Sequence, residues 1–286
     1  MVGRATGAIL PSVTTNTVAC AEIRRDRRER ATRGCALPRV WMMERVFAKK
    51  SGAVAAAVVA VLLAGCGVGR DLPPIPEGIP PGPGVPLPLI DVDGPGRTAL
   101  QLRDWADGQA GALGIPRIAL EAYGYAAAVM ARSRPECGIA WTTLAGIGSV
   151  ESAHGTHRGA SADDAGNVSP PIIGIPLDGS PGVARIEDTD DGVLDGDTVY
   201  DRAVGPMQFI PETWQRWGVD ANGDGVADPH NIDDAALTAA RYLCASGGDL
   251  TSERGWHGAL MTYNRSNSYL LTVRDRAAAY SVGRRV

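Results

Sequence analysis

The stretch Ile139–Glu151, IAWTTLAGIGSVE, is apolar on almost every side of a helix and carries no charge until its last residue. A helix of this kind is stable only when other elements surround it, so the chain has to fold around a buried central helix. Glu151 ends that run inside GIGSVESAHG, residues 146–155, among the smallest side chains available. Burial and the negative end of the helix dipole both disfavour a carboxylate there and raise its pKa, the condition for a general acid at neutral pH. The plain alternative is an exposed glutamate that merely closes a helix. A metal set of Glu151, His154 and His157 is a third reading, but Gly155 and Gly159 argue against one helix carrying both histidines.

Helical patterning extends to both sides of this run. It begins at Arg97, where Leu100, Leu102 and Trp105 mix with Arg103, Asp104 and Asp107, and Pro116 opens a second run through Ile118, Leu120, Tyr123 and Val129. Further helices are expected at PETWQRW from Pro211, at DDAALTAARYLCA with Asp233 or Asp234 as cap, and at GWHGALMTYN and SYLLTVRDRAAAY. A polar turn, Asn264–Asn267, joins the last two. Strand signal is slight and no repeat is visible, so the expected fold class is mainly α. Residues 155–203, rich in Gly, Pro and Asp, form a long insertion of the kind that is functional or disordered.

The N-terminal third reads separately. SGAVAAAVVAVLLA, residues 51–64, follows Lys49 and Lys50 and precedes Gly65 and Cys66, the layout of an export signal and too short for a comfortable membrane span. Leu63-Ala64-Gly65-Cys66 resembles a bacterial lipobox, which implies lipid attachment at Cys66 and a cell-envelope location. Counted from Met1 such a signal is far too long, whereas Met42 or Met43 gives an ordinary one. The expected organisation is therefore a mis-assigned or disordered extension at 1–41, a signal at 42–65, a Pro/Gly-rich semi-extended tether at 66–96 and one globular domain at 97–286. Of five cysteines, Cys20 and Cys35 precede the signal and Cys66 is the lipid site. Cys137 and Cys244 remain, most simply a disulfide in an exported chain and otherwise two buried thiols. A formal net charge of -4 gives no reason to expect nucleic acid.

Two downstream stretches carry further chemistry. AVGPMQFIPETW sets the amide of Gln208 in an apolar, turn-rich context suited to sugar hydroxyl and acetamido groups, and MTYNRS places Tyr263 and Asn264 at a helix end. DANGDGVADPHN fits the start of an EF-hand loop: Asp220, Asn222 and Asp224 at positions one, three and five, Gly225 at six, the Val226 carbonyl at seven and Asp228 at nine. Asn231 replaces the usual glutamate at position twelve, which weakens the site unless Asp233 or Asp234 turns in. EDTDDGVLDGD adds a second acidic loop, a solvated border of a groove or another ion site.

Taken in order, LAGIGSVESAHG, AVGPMQFIPETW, GVDANGDGVADPHNIDDAALTAARYL and MTYNRSNSYL resemble the lytic murein transglycosylases similar to membrane-bound lytic transglycosylase B, glycoside hydrolase family 103, over roughly Arg97–Tyr280. The resemblance implies an α+β lysozyme-like catalytic domain with an EF-hand-like loop, acting on peptidoglycan glycan strands. It implies Glu151 as the single acid and base, Ser152, Gln208, Tyr263 and Asn264 as substrate contacts, and structural calcium with no organic cofactor. The product implied is a 1,6-anhydro muramyl end. A lysozyme-type hydrolase of the same bond and a non-catalytic peptidoglycan-binding lipoprotein are the competing readings, the first separated by the chemistry of the released ends and the second by muropeptide release from a Glu151→Gln variant.

Overall fold

A computed structural model describes residues 73–286; the extension 1–41, the signal 42–65 and Cys66 lie outside the described residues. Seven α-helices follow one another there: α1 (Arg103–Leu113), α2 (Arg117–Ser133), α3 (Trp141–Ser152), α4 (Pro211–Trp217), α5 (Ile232–Gly247), α6 (Glu253–Tyr263) and α7 (Asn267–Ser281). Their ends follow local chemistry. α1 stops at Gly114, whose φ of 68° suits glycine, and Pro211 is the first residue of α4. Ser252 caps α6 through Gly255 N–H, and Ser266 caps α7 through Tyr269 N–H. α5 departs from expectation. Its cap is Asn231, which accepts from the N–H groups of Asp233 and Asp234, leaving both aspartates free for other partners.

α3 is buried from Trp141 to Gly148 and lies between α7 and α2, while α2 also packs on α5 and α5 on α6. Its glycines set the approach. A Cβ on Gly146 would fall 2.8 Å from the Val273 carbonyl oxygen on α7, and one on Gly148 would fall 2.0 Å from the Tyr123 hydroxyl on α2. Because the first of these neighbours is backbone, Gly146→Ala has to push two helices apart. We expect it to lower the melting temperature by roughly 3–10 °C, the cost of overpacking by about 1–3 kcal/mol; an unchanged transition in calorimetry would contradict the packing described. Cys137, just before α3, and Cys244 on α5 are joined as a disulfide with Cα atoms 5.5 Å apart.

The strands seen among the described residues lie in the 155–203 insertion and at its end. β1 (Ser161–Ala162) pairs antiparallel with β2 (Val168–Ser169), and β3 (Ile173–Pro176) with β4 (Arg202–Val204). The domain is thus mainly helical with a small β region.

The segment expected as a tether differs from expectation over its described part. Residues 73–96 have no helix or strand, as their prolines require, but they lie against the helices. Trp141 Nε1 donates to the Val85 carbonyl at 3.0 Å, Thr142 Oγ1 to Gly82 at 2.7 Å and Trp105 Nε1 to Pro86 at 3.1 Å. Ile79, Leu87, Ile90 and Val92 pack on the core. These apolar side chains and carbonyl acceptors turn a Pro/Gly-rich segment into a strap. Arg97 closes it: its guanidinium, 7% exposed, bonds Glu121 of α2 and Asp233 of α5, whose side chains are both 0% exposed, with Nε 2.6 Å from Asp233 Oδ2.

Candidate functional site

The last turn of α3 brings Glu151 from the core to a half-buried position. Tyr269, in the first turn of α7, donates its hydroxyl to Glu151 Oε1 at 2.5 Å. Burial pushes the Glu151 carboxyl up to about 8, with the Tyr269 hydrogen bond working in the opposite direction. The Tyr269 hydroxyl is itself held well above its ordinary range by burial and by the Glu151 charge, so it remains a donor. With Oε1 accepting that bond, Oε2 is the oxygen that holds the proton of the neutral carboxyl.

Immediately after Glu151 the chain reverses. Ala153 and His154 both adopt left-handed backbone, φ 51° and 62°, and their N–H groups bond the carbonyls of Ser149 and Gly148. His154 is buried and does not meet Glu151 as a metal partner: Nδ1 lies 3.2 Å from the Tyr123 hydroxyl and Nε2 3.1 Å from that of Tyr280. His157 lies on an exposed 3-10 turn. The Glu151–His154–His157 metal set is therefore not assembled.

Gln208 occupies a turn, Gly205–Gln208, between β4 and α4. It is 7% exposed with a φ of 50°, and its Nε2 donates to the Gly205 carbonyl at 2.9 Å. Ser152, expected to line the groove, instead holds this turn: it is 1% exposed, donates to the Pro206 carbonyl at 2.7 Å and accepts from Gly155 N–H. A hydroxyl next to a helix end finds buried backbone partners more readily than open solvent. Tyr263 makes a second tie, donating to the Met207 carbonyl at 2.7 Å while packing on Phe209 and Tyr242. Gly155 also faces protein rather than groove, since a Cβ there would meet Val168 and Pro206. Asn264 is 2% exposed and its Oδ1 has no partner, which leaves a buried acceptor for a donor from outside the chain.

The EF-hand-like loop joins α4 to α5 and supports the Gln208 turn from behind. A Cβ on Gly205 would fall 1.8 Å from the Pro229 carbonyl oxygen, so the two loops touch backbone to backbone. Asp220 accepts from the N–H groups of Gly223 and Gly225, and Asn222 Nδ2 donates to Asp224 Oδ2 at 2.9 Å. Of the two aspartates expected to turn in at position twelve, Asp233 is bound to Arg97 instead, whereas Asp234 does turn into the loop and accepts from the N–H groups of Ala221, Asn222 and Asp228. Burial pushes the Asp234 carboxyl up to about 6 in spite of those donors. In the acidic insertion, Asp188, Asp190 and Asp201 bring one carboxylate oxygen each within 4.8 Å of one another, the group of metal-ligand type found among the described residues.

One feature escaped the sequence reading: Tyr269 gives no signal beyond an aromatic at a helix start. The Ser152 and Tyr263 ties depend on which side of the turn the backbone carbonyls face, which no spacing encodes.

Residues 196–257 match the Transglycosylase SLT domain family. The matched stretch holds the Gln208 turn, α4, the EF-hand-like loop, α5 and the first part of α6; Glu151 lies upstream of it. With the helical architecture it supports a lytic-transglycosylase-type, lysozyme-like domain acting on peptidoglycan. No curated protein and no solved structure matches the chain.

Proposed function

We propose that the chain is a peptidoglycan lytic transglycosylase in which Glu151 is both general acid and general base, cutting the β-1,4 bond from N-acetylmuramic acid to N-acetylglucosamine. The observation that carries the reading is a lone glutamate at a buried helix end, gripped on one oxygen by Tyr269, with its carboxyl pushed up to about 8 by burial. Protonated at Oε2, Glu151 gives its proton to the glycosidic oxygen as the C1–O bond breaks. The carboxylate left behind, steadied by Tyr269, then takes the proton of the muramyl C6 hydroxyl as that oxygen bonds to C1. A 1,6-anhydro end and a free 4-hydroxyl result, with no net proton change.

One carboxylate can suffice because the nucleophile is tethered. Glycosidases that admit water use a second carboxyl to activate it or to form a covalent intermediate; an internal hydroxyl brings its own effective molarity. We assign Gln208 and the unpartnered Asn264 Oδ1 to the sugar hydroxyl and acetamido groups, and Ser152 and Tyr263 to holding the turn that presents them. Mass spectrometry of products from purified sacculi tests the reaction: anhydro-muropeptides are expected, and reducing ends in their place would establish hydrolysis instead.

We further propose export, lipid attachment at Cys66, and calcium in the 220–228 loop. Asp220, Asn222, Asp224, the Val226 carbonyl and Asp228 fit a hard cation in donor type, but without a bidentate twelfth ligand the affinity should fall in the roughly millimolar range. Calcium at that level is expected to raise the melting temperature, and Asp224→Asn to abolish the response; equal responses in both proteins would move the ion elsewhere, the Asp188–Asp190–Asp201 group being the obvious place.

A further inference from the structure

His154 takes no part in the mechanism above, yet it is 6% exposed and has both ring nitrogens bonded. The bonds run in one direction. Tyr280 donates its proton to Ser149 Oγ at 3.1 Å, so Nε2–H of His154 donates to the Tyr280 oxygen and Nδ1 is left to accept from the Tyr123 hydroxyl. Arg276 donates to the same Ser149 Oγ at 2.8 Å. The line Tyr123, His154, Tyr280, Ser149, Arg276 thus ties α2 and α7 to the turn of α3 that carries Glu151. Gly148 is a condition for it, since any side chain there would occupy the place of the Tyr123 hydroxyl. Ala153 and His154 meanwhile hold two consecutive left-handed conformations, which non-glycine residues adopt only where their surroundings enforce them.

We propose that His154 is a positioning residue: by bridging Tyr123 and Tyr280 it enforces the left-handed reversal after α3 and so fixes where the Glu151 carboxyl points. The imidazole is neutral, as burial and the nearby Arg276 charge require, its pKa lying at about 3. The titratable groups facing it are Tyr123, Tyr280 and Arg276, and those facing Glu151 are Tyr263 and Tyr269. The consequence for rate rests on the function proposed above; the consequence for the carboxyl does not.

His154→Phe keeps a ring of similar size and removes both hydrogen bonds. On purified glycan strands we expect kcat to fall by about 10- to 100-fold with KM within roughly twofold, the pattern of a displaced reacting group. Carbon-13 NMR of the Glu151 carboxyl should show its titration midpoint, near 8 in the parent, moving down as the side chain gains water. A purely structural histidine would lower the melting temperature and leave that midpoint in place. Unchanged kcat with an unmoved midpoint overturns the proposal, as does a rate loss with the midpoint unmoved. If His154→Phe does not fold, Tyr123→Phe decides on the same two readouts, with smaller shifts of the same sign expected. Should the parent and Glu151→Gln prove equally inactive on peptidoglycan, the reading of function fails and the titration alone judges His154.

Discussion

Glu151→Gln is expected to reduce release of anhydro-muropeptides by about 10³-fold while leaving the fold intact. Glutamine fills the same space and still accepts from Tyr269, but it has no proton to give to a leaving oxygen and cannot take one from a hydroxyl. The parent should lose activity as pH rises through about 8, because the reactive form is the protonated acid. Stability moves with the same group. A carboxyl whose folded pKa lies above its ordinary 4.5 contributes fully below that value, and its contribution is lost as pH rises through about 8. Glutamine does not titrate, so the variant should gain on the parent in melting temperature between those limits. Release by Glu151→Gln equal to the parent would remove Glu151 from the chemistry.

Arg97→Met is expected to be the most damaging change far from the groove. It leaves Glu121 and Asp233, both 0% exposed, without the guanidinium between them, and stranding buried charge costs about 3–5 kcal/mol. For a domain of this size that is roughly 10 °C or more of melting temperature. Arg117 still reaches Glu121, so Asp233 is the group stranded outright. Adding Asp233→Asn should therefore recover part of the loss. Calorimetry of the parent, the single and the double variants checks this; a single variant within about 1 kcal/mol of the parent would show that water already reaches the ion pairs.

Much of this architecture was legible because it depends on period and punctuation. The all-round apolar run at 139–151, Pro116, Pro211 and the Asn264–Asn267 turn mark helices and their limits, and Glu151 stands out as the charge at the end of the buried one. What stayed hidden depends on carbonyl directions and on contacts between distant segments. Ser152 and Tyr263 are expected as substrate contacts through the family resemblance, whereas their hydroxyls donate to the carbonyls of Pro206 and Met207. The cap of α5 fell to Asn231 because Asp233 and Asp234 each have a stronger partner, Arg97 and the loop amides. Tyr269 is found only when α7 is laid against α3.

The docked Pro/Gly strap bears on where such an enzyme can work. Chain hanging free from residue 66 to residue 96 could stretch roughly 100 Å, whereas residues 66–72 alone span at most about 25 Å when fully extended. With the lipid at Cys66 that we propose, the strap makes the difference between a domain that could roam through the thickness of a wall and one confined to the layer nearest the membrane.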